Sequence, residues 1–289
     1  AQNRGSEMNF MGLPDEYAGE NSKTVIIPIA YEKNTTYGQG ASRGADEIIA
    51  ASRHIEYYDD ELCKEPYESG IKLLKTLRCS NLLPEEAQER IREHVTPHIK
   101  KFTIALGGDH SITPAIVSAH SKEHKDTSIL MLDAHADLRY SWKGSQYNHA
   151  CVARRLAPNH KIAIVGVRAM DLSEREYADS NPNVKLIGAK EFNSEKIQEI
   201  LAHLTQKVYV SIDVDAFDPS LIKNTGTPEP GGLLWYPTLE LLKKTFEEKE
   251  VIGADIVEFA PEAAYRAEAF ALAKLAYKLC AYKHALRNQ

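Results

Sequence analysis

Three short segments bring histidine and aspartate together at spacings suited to metal ions. They are Gly107-Gly108-Asp109-His110-Ser111, Asp133-Ala134-His135-Ala136-Asp137 and Asp213-Val214-Asp215. Alternate residues of an extended chain share a face, so Asp133, His135 and Asp137 would point one way, as would Asp213 and Asp215. On a straight strand the ends of the trio would lie roughly 13 Å apart, whereas metal–ligand bonds measure about 2.0–2.2 Å. Either the chain curls away near Asp137 or these residues serve more than one ion. Asp213 and Asp215, roughly 7 Å apart at Cα, suit two ions about 3.5–4 Å apart.

The set His110, His135, Asp133, Asp137, Asp213 and Asp215 offers imidazole and carboxylate but no thiolate. That chemistry fits Mn²⁺ well and leaves Zn²⁺, Co²⁺ or Fe²⁺ open by geometry. Two divalent ions would balance the four carboxylates, and a bridging hydroxide would leave the cluster about one unit negative. A cationic substrate is welcome there; a phosphate ester finds no Arg or Lys within these motifs. Amide deacetylation on one zinc also uses a D-x-H step, but normally with a tandem histidine pair, and the chain has no His-His.

Each segment follows an apolar run. The runs 25–31, 102–107, 128–133, 161–167, 184–187, 208–213 and 251–257 are rich in Ile and Val and mostly lack in/out alternation, which predicts parallel strands buried on both faces. Helical patterns fill 84–100, 113–124, 194–203, 237–249 and 262–286, and Pro97 should end or kink the first. Strands alternating with helices imply right-handed crossovers and one mainly parallel sheet covered on both faces. In such sheets ligands gather at the carboxyl ends of strands, where the His and Asp residues fall. The last run ends in Glu258 in the same way.

Other features carry less. His94/His98 and His120/His124 have i,i+4 spacing, but each pair sits late on a polar helix, where histidine suits the C-terminal dipole. His54, His160, His203 and His284 are expected at the surface and Cys151 in packing. Cys63, Cys79, Cys151 and Cys280 form no C-x-x-C pair, and a reducing, cytoplasmic compartment fits them. A formal net charge of -6 argues against nucleic-acid binding. No apolar run approaches the ~18 residues of a membrane span. Residues 1–7 open polar and are set aside.

Together, GGDHS at 107–111, DAHAD at 133–137, SIDVDAFDPS at 211–220, GTPEPGG at 226–232 and VEFAP at 257–261 resemble the ureohydrolase family of arginases and agmatinases. The resemblance runs from about residue 25 to the end. It implies one ureohydrolase domain over 1–289, with 1–24 as an N-terminal extension, and a three-layer α/β/α fold. It also implies a binuclear manganese site of two Mn²⁺ held by His110, Asp133, His135, Asp137, Asp213 and Asp215. His149 matches the family's proton-shuttling histidine, and Glu258 the carboxylate that grips the guanidinium. The implied reaction is attack of a metal-bridging hydroxide, to which Asp137 is hydrogen-bonded, on the guanidinium carbon. No ligand is lost, as it would be in a non-catalytic member.

Within that family, DAHADLR, NHACVARR at 148–155 and PEPGGLLWY at 228–236 are more similar to agmatinases than to arginases. The implied substrate is agmatine, cleaved to putrescine and urea. Guanidinobutyrate, guanidinopropionate, arginine or formiminoglutamate are the alternatives. Arg139 divides them: it either binds a substrate carboxylate or forms a structural salt bridge near the aspartates, and the latter is the expectation. Trp142 and Tyr147 either line the pocket or pack against a neighbouring subunit. The family also implies a homo-oligomer, trimer or hexamer.

Overall fold

The computed structural model describes residues 9–263 and 265–286; the polar opening at 1–7 lies outside them. Nine strands form one sheet: β1 (Thr24–Ala30), β2 (Ile71–Leu73), β3 (Leu77–Arg78), β4 (Phe102–Leu106), β5 (Thr127–Leu132), β6 (Ile162–Val167), β7 (Val184–Gly188), β8 (Lys207–Asp213) and β9 (Glu250–Val257). Every pairing is parallel, in the order β2-β1-β4-β9-β8-β5-β6-β7, with β3 also on β1. The seven apolar runs are seven of these strands. The two unforeseen ones, β2 and β3, are three and two residues long, too short for a period to show.

Strand side chains alternate between two cores. Ile26, Val208, Val210 and Ile212 join helices α1 (Gly44–Ser52), α6 (Lys196–His203), α7 (Trp235–Glu248) and α8 (Ala267–Ala285). Val25, Ile27, Ile29 and Tyr209 join α2 (Pro84–Val95), α3 (Thr113–Glu123), α4 (Val152–Leu156) and α5 (Leu172–Ser180) on the other face. The result is the expected three-layer α/β/α fold. Pro97 does break the first predicted helix: α2 stops at Val95 and a 3-10 turn takes Thr96–His98. The segment before β1 is packed rather than loose. Phe10, Met11 and Leu13 are fully buried in the core that α1 shares.

The order of strands explains why distant motifs meet. β8 and β9 insert between β4 and β5, so the four strands that end in His, Asp or Glu are contiguous at the centre. Their carboxyl ends form one edge of the sheet.

Several histidines depart from expectation. His120 is fully buried, not on a polar face, with Nε2 2.8 Å from Thr103 Oγ1. Gly253 of β9 makes room for it, since a Cβ there would lie 2.9 Å from the ring. His284 is half-buried, 2.8 Å from Thr24 Oγ1; His160 and His203 are half-buried against the carbonyls of Thr127 and Asn183. In each case a neighbouring hydroxyl or carbonyl meets one ring nitrogen, so that nitrogen need not face water; His120 Nδ1 stays buried without a partner among the described residues. Cys151 is buried, as expected.

Burial, then the neighbouring His124, pushes His120 down to about 3. Unfolded, it titrates near the ordinary ~6.5. Below that pH the unfolded chain holds a proton the folded chain refuses. Stability therefore falls as pH drops from about 6.5 toward 3, by up to about 1.4 kcal/mol per pH unit for one proton. Urea unfolding of the protein and of His120→Gln between pH 7 and 5 should show a shallower pH slope in the variant. Equal slopes would contradict the burial.

Candidate metal centre

His110 opens a 3-10 turn directly after β4, capped by Asp109, whose Oδ1 accepts from Ser111 N–H at 3.0 Å. Asp109 is thus a cap, while the neighbouring imidazole points inward. Gly108 allows this turn to lie against the end of β1: Asp109 N–H donates to Tyr31 O at 2.9 Å.

β5 ends at Leu132, so Asp133 to Asp137 lie in the loop beyond it. Asp137 takes a left-handed backbone, φ 51°. Of the two ways of resolving the overlong trio, the chain shows the curl, at Asp137; Asp133 in addition faces both His110 and His135. Asp213 is the last residue of β8, and its Oδ1 accepts from Asp215 N–H at 2.9 Å, bending the chain so that the second carboxylate also faces the site.

His110 Nδ1 lies 3.2 Å from each of Asp133 Oδ2, Asp137 Oδ2 and Asp213 Oδ2. His135 Nδ1 lies 2.9 Å from Asp215 Oδ2 and 3.7 Å from Asp133 Oδ1. Atoms about 2.0–2.2 Å from a shared ion at right angles to one another stand about 3 Å apart, and the His110 group has that spacing. His110 Nδ1 and Asp133 Oδ2 are also fully buried without a hydrogen-bonding partner, as groups built to ligate would be. Two clusters able to hold an ion result, His110–Asp133–Asp213 and Asp133–His135–Asp215. Among the described residues these are the only such clusters, so neither i,i+4 histidine pair gathers a third ligand.

The charges bear on the same point. Burial, Asp215 and Asp133 push Asp213 well up, and burial with Asp133 holds Asp137 at about 7. Burial alone would lower His110 and His135, but the surrounding carboxylates overcome it and raise both, His135 to about 12. Burial opposes ionisation of Asp133 too, yet the two histidines hold it at about 2. A field that draws protons onto imidazoles this strongly draws cations.

Behind the cluster, His110 Nε2 is 3.0 Å from Ser211 Oγ, which donates to Asp255 Oδ1 at 2.7 Å. Asp255 also accepts from the Thr113 and Tyr209 hydroxyls. This relay, absent from the expectations above, occupies Nε2 and leaves Nδ1 free to face the carboxylates. Its signal was present: a carboxylate inside the apolar run 251–257.

A cavity of about 260 Å³ opens over the cluster, lined by His135, Asp137, Asp213, Asp215, Arg139, Trp142, His149, Glu229 and Glu258 among others. Glu258 has φ 67°, its N–H donates to Gly108 O and its Oε1 accepts from His110 N–H at 2.6 Å. Strain of this kind persists where the surroundings hold it, often at functional sites. Burial and Asp109 push the Glu258 carboxyl well up. His149 Nε2 lies 2.8 Å from Thr36 Oγ1, which also accepts from Trp142 Nε1 at 3.2 Å. Burial and the charges on His110 and His135 push His149 down to about 4. Thr36 was not foreseen; nothing in the stretch around it marks a polar contact 113 residues away.

The two readings of Arg139 can be weighed on contacts. Its Nη1 lies 2.6 Å from Asp171 Oδ2, and its guanidinium stacks 4.4 Å from the Trp142 ring centroid. Trp142 lines the cavity, whereas Tyr147 packs under Arg155.

A doubly covered parallel sheet with this His and Asp set along its carboxyl edge has known counterparts. Residues 22–281 match the model of the Arginase family, and the chain belongs to that family: it is a ureohydrolase. More particularly it is of agmatinase type. It is 40% identical over 263 residues to the N(1)-aminopropylagmatine ureohydrolase of Thermus thermophilus, covering 89% of each chain. It is 34% identical over 262 residues to the agmatinase of Pyrococcus horikoshii, covering 88% of this chain and 89% of that one. The crystal structure of agmatine ureohydrolase of Thermoplasma volcanium superposes with a TM-score of 0.84 at 28% identity, over 93% and 92% of the two chains.

Proposed function

We propose that this chain releases urea from the guanidino end of a cationic polyamine precursor, N1-aminopropylagmatine or its smaller member agmatine, with two Mn²⁺ as cofactor. The observation that carries this is the cavity shared by the His110–Asp133–Asp213 and Asp133–His135–Asp215 clusters and Glu258. The names of relatives from 34% to 40% identical support the choice of substrate, as do the contacts of Arg139, already paired with an acid rather than open to a substrate carboxylate.

His110, Asp133, Asp137 and Asp213 would hold one ion, and His135 with Asp133 and Asp215 the other. The oxygen-rich donors suit manganese. When bound, the ions supply a water of lowered pKa and neutralise the carboxylates. Glu258, with Oε1 fixed by His110 N–H, presents its other oxygen to the planar guanidinium and orients its carbon. Asp137 accepts a hydrogen bond from the attacking oxygen. As the C–N bond breaks, the leaving amine takes a proton relayed by His149. That ring is neutral near pH 7, so it can accept a proton before passing it on. Water and the guanidinium become urea and a free amine, putrescine in the case of agmatine.

The same reading takes the chain as one ureohydrolase unit, cytoplasmic, and a trimer or hexamer. Its four free cysteines suit a reducing compartment; no described helix is long and apolar enough to cross a membrane.

The test is urea release by Mn²⁺-loaded protein from N1-aminopropylagmatine, agmatine, arginine, guanidinobutyrate and formiminoglutamate side by side. The two substrates without a carboxylate should lead. Glu258→Gln should lower kcat/KM for them by about 10²–10³. A carboxylated compound in front would overturn the substrate, and a fully active Glu258→Gln would overturn the mechanism.

A further inference from the structure

The carboxylates on the cavity wall are not equivalent. Beyond the His and Asp clusters the wall carries Asp171, Glu174, Glu229 and Glu258. Asp171 is taken by Arg139. Glu174 accepts from the N–H groups of Leu138 and Asp171, both at 2.9 Å. Glu258 accepts from His110 N–H and stands over the clusters. Glu229 alone of the four has neither a hydrogen-bond donor nor a close ion-pair partner on its carboxylate among the described residues.

The Arg168 charge reaches Glu229, but its hydrogen bonds go elsewhere. Arg168 spends its guanidinium on backbone carbonyls: those of Gly166, Asp215, Ala216, Phe217, Pro230 and Glu229 itself, the last at 2.8 Å from Nη2. Asp218 Oδ2 clamps the next turn by accepting from Gly231 and Gly232 N–H. The backbone under Glu229 is therefore pinned at both ends, while its carboxylate feels the Arg168 charge only at a distance and takes no hydrogen bond from it. A carboxylate on a cavity wall whose backbone is held and whose oxygens take no hydrogen bond is a preorganised seat for a cation.

Its place along the cavity follows from the chain. A Cβ on Gly226 would lie 3.5 Å from Glu258 Oε2, so this loop begins beside the guanidinium site. Glu229 is three residues further on, at most about 10 Å of extended chain. That is the order of length separating a guanidino group from an ammonium across four methylenes.

We propose that Glu229 is a specificity-determining residue that binds the ammonium nitrogen of the substrate beyond its guanidino group and repels substrates ending in a carboxylate. The proposal rests on the function given above. It adds the second recognition point: one acid for the guanidinium, another for the amine.

The test compares the Mn²⁺-loaded protein with Glu229→Gln, an isosteric change that keeps the carbonyl held by Arg168. Losing one charged contact should raise KM for agmatine and N1-aminopropylagmatine about ten- to hundredfold, with kcat little changed. Butylguanidine, which lacks the second amine, should be handled equally by both proteins, and guanidinobutyrate better by the variant. Spermidine binding by calorimetry should weaken by the same factor as the KM shift. Unchanged KM for agmatine with unchanged spermidine affinity would overturn the proposal, as would equal losses on agmatine and butylguanidine. If the unaltered protein releases urea from none of these compounds, the proposed function fails instead, and the spermidine titration still decides whether Glu229 binds an amine.

Discussion

Asp133→Asn is expected to leave a folded protein that retains neither ion and has lost at least about three orders of magnitude in urea release, since water then keeps its ordinary pKa. Asp133 is singled out by its two oxygens: Oδ2 faces His110 at 3.2 Å and Oδ1 faces His135 at 3.7 Å. It is the one residue common to both clusters. Asparagine keeps the shape, and its oxygen can still accept from His135 N–H as Asp133 Oδ1 does at 2.7 Å, so the loop has no reason to collapse. What is lost is one full negative charge between two cations. Asp215→Asn is the comparison, because Asp215 belongs to one cluster only; it should cost one equivalent. Metal content after gel filtration, with circular dichroism to confirm the fold, reads this directly. Two equivalents retained by Asp133→Asn would refute its shared role.

The second large effect is on the fold itself. Gly108→Ala should fail to accumulate as soluble protein, or should melt more than about 10 °C lower, since clashes of this class cost more than about 4 kcal/mol and each kcal/mol is worth about 2–4 °C at this size. A Cβ on Gly108 would sit 1.7 Å from Tyr31 O and 2.6 Å from its carbonyl carbon. Both are backbone atoms, so no rotamer relieves the contact. Moving them would break the Asp109 N–H bond to Tyr31 O and disturb Lys33 N–H on Asp109 Oδ2 at 2.7 Å. Gly144→Ala is the control: φ is 79° there but nothing lies within 4 Å, so only a backbone penalty of about 1 kcal/mol applies. Similar melting of the two variants would show that Gly108 is not the tight point described.

What the sequence made legible was local. The Ile- and Val-rich runs gave the strands because burial on both faces leaves no alternation to confuse. His110, Asp133, His135, Asp137, Asp213, Asp215 and Glu258 stood out because each follows such a run. Helix α5 escaped, although Asp171 and Glu174 form a capping box in which Asp171 Oδ1 accepts from Glu174 N–H and Glu174 Oε2 from Asp171 N–H. That signal is present in the sequence itself. Other features were beyond local reading. The buried His120 depends on Gly253 in a distant strand, and Thr36 meets His149 only through the fold. That the Glu229 carboxylate takes no hydrogen bond depends on where Arg168 spends its own.

The insertion of β8 and β9 between β4 and β5 has a consequence for how the molecule comes into being. While synthesis has reached only residue 206, the strands available can pair only as two separate half-sheets, β2-β1-β4 and β5-β6-β7. Their inner edges are β4 and β5, mostly apolar strands buried along their length in the finished molecule. Until the final segments arrive, these edges offer unpaired N–H and C=O groups flanked by bare hydrocarbon to any other chain. Joining them requires contacts between segments far apart in sequence, which form slowly. The candidate metal-binding residues come together at that same seam, so the nascent chain is most prone to aggregation just before that site is assembled.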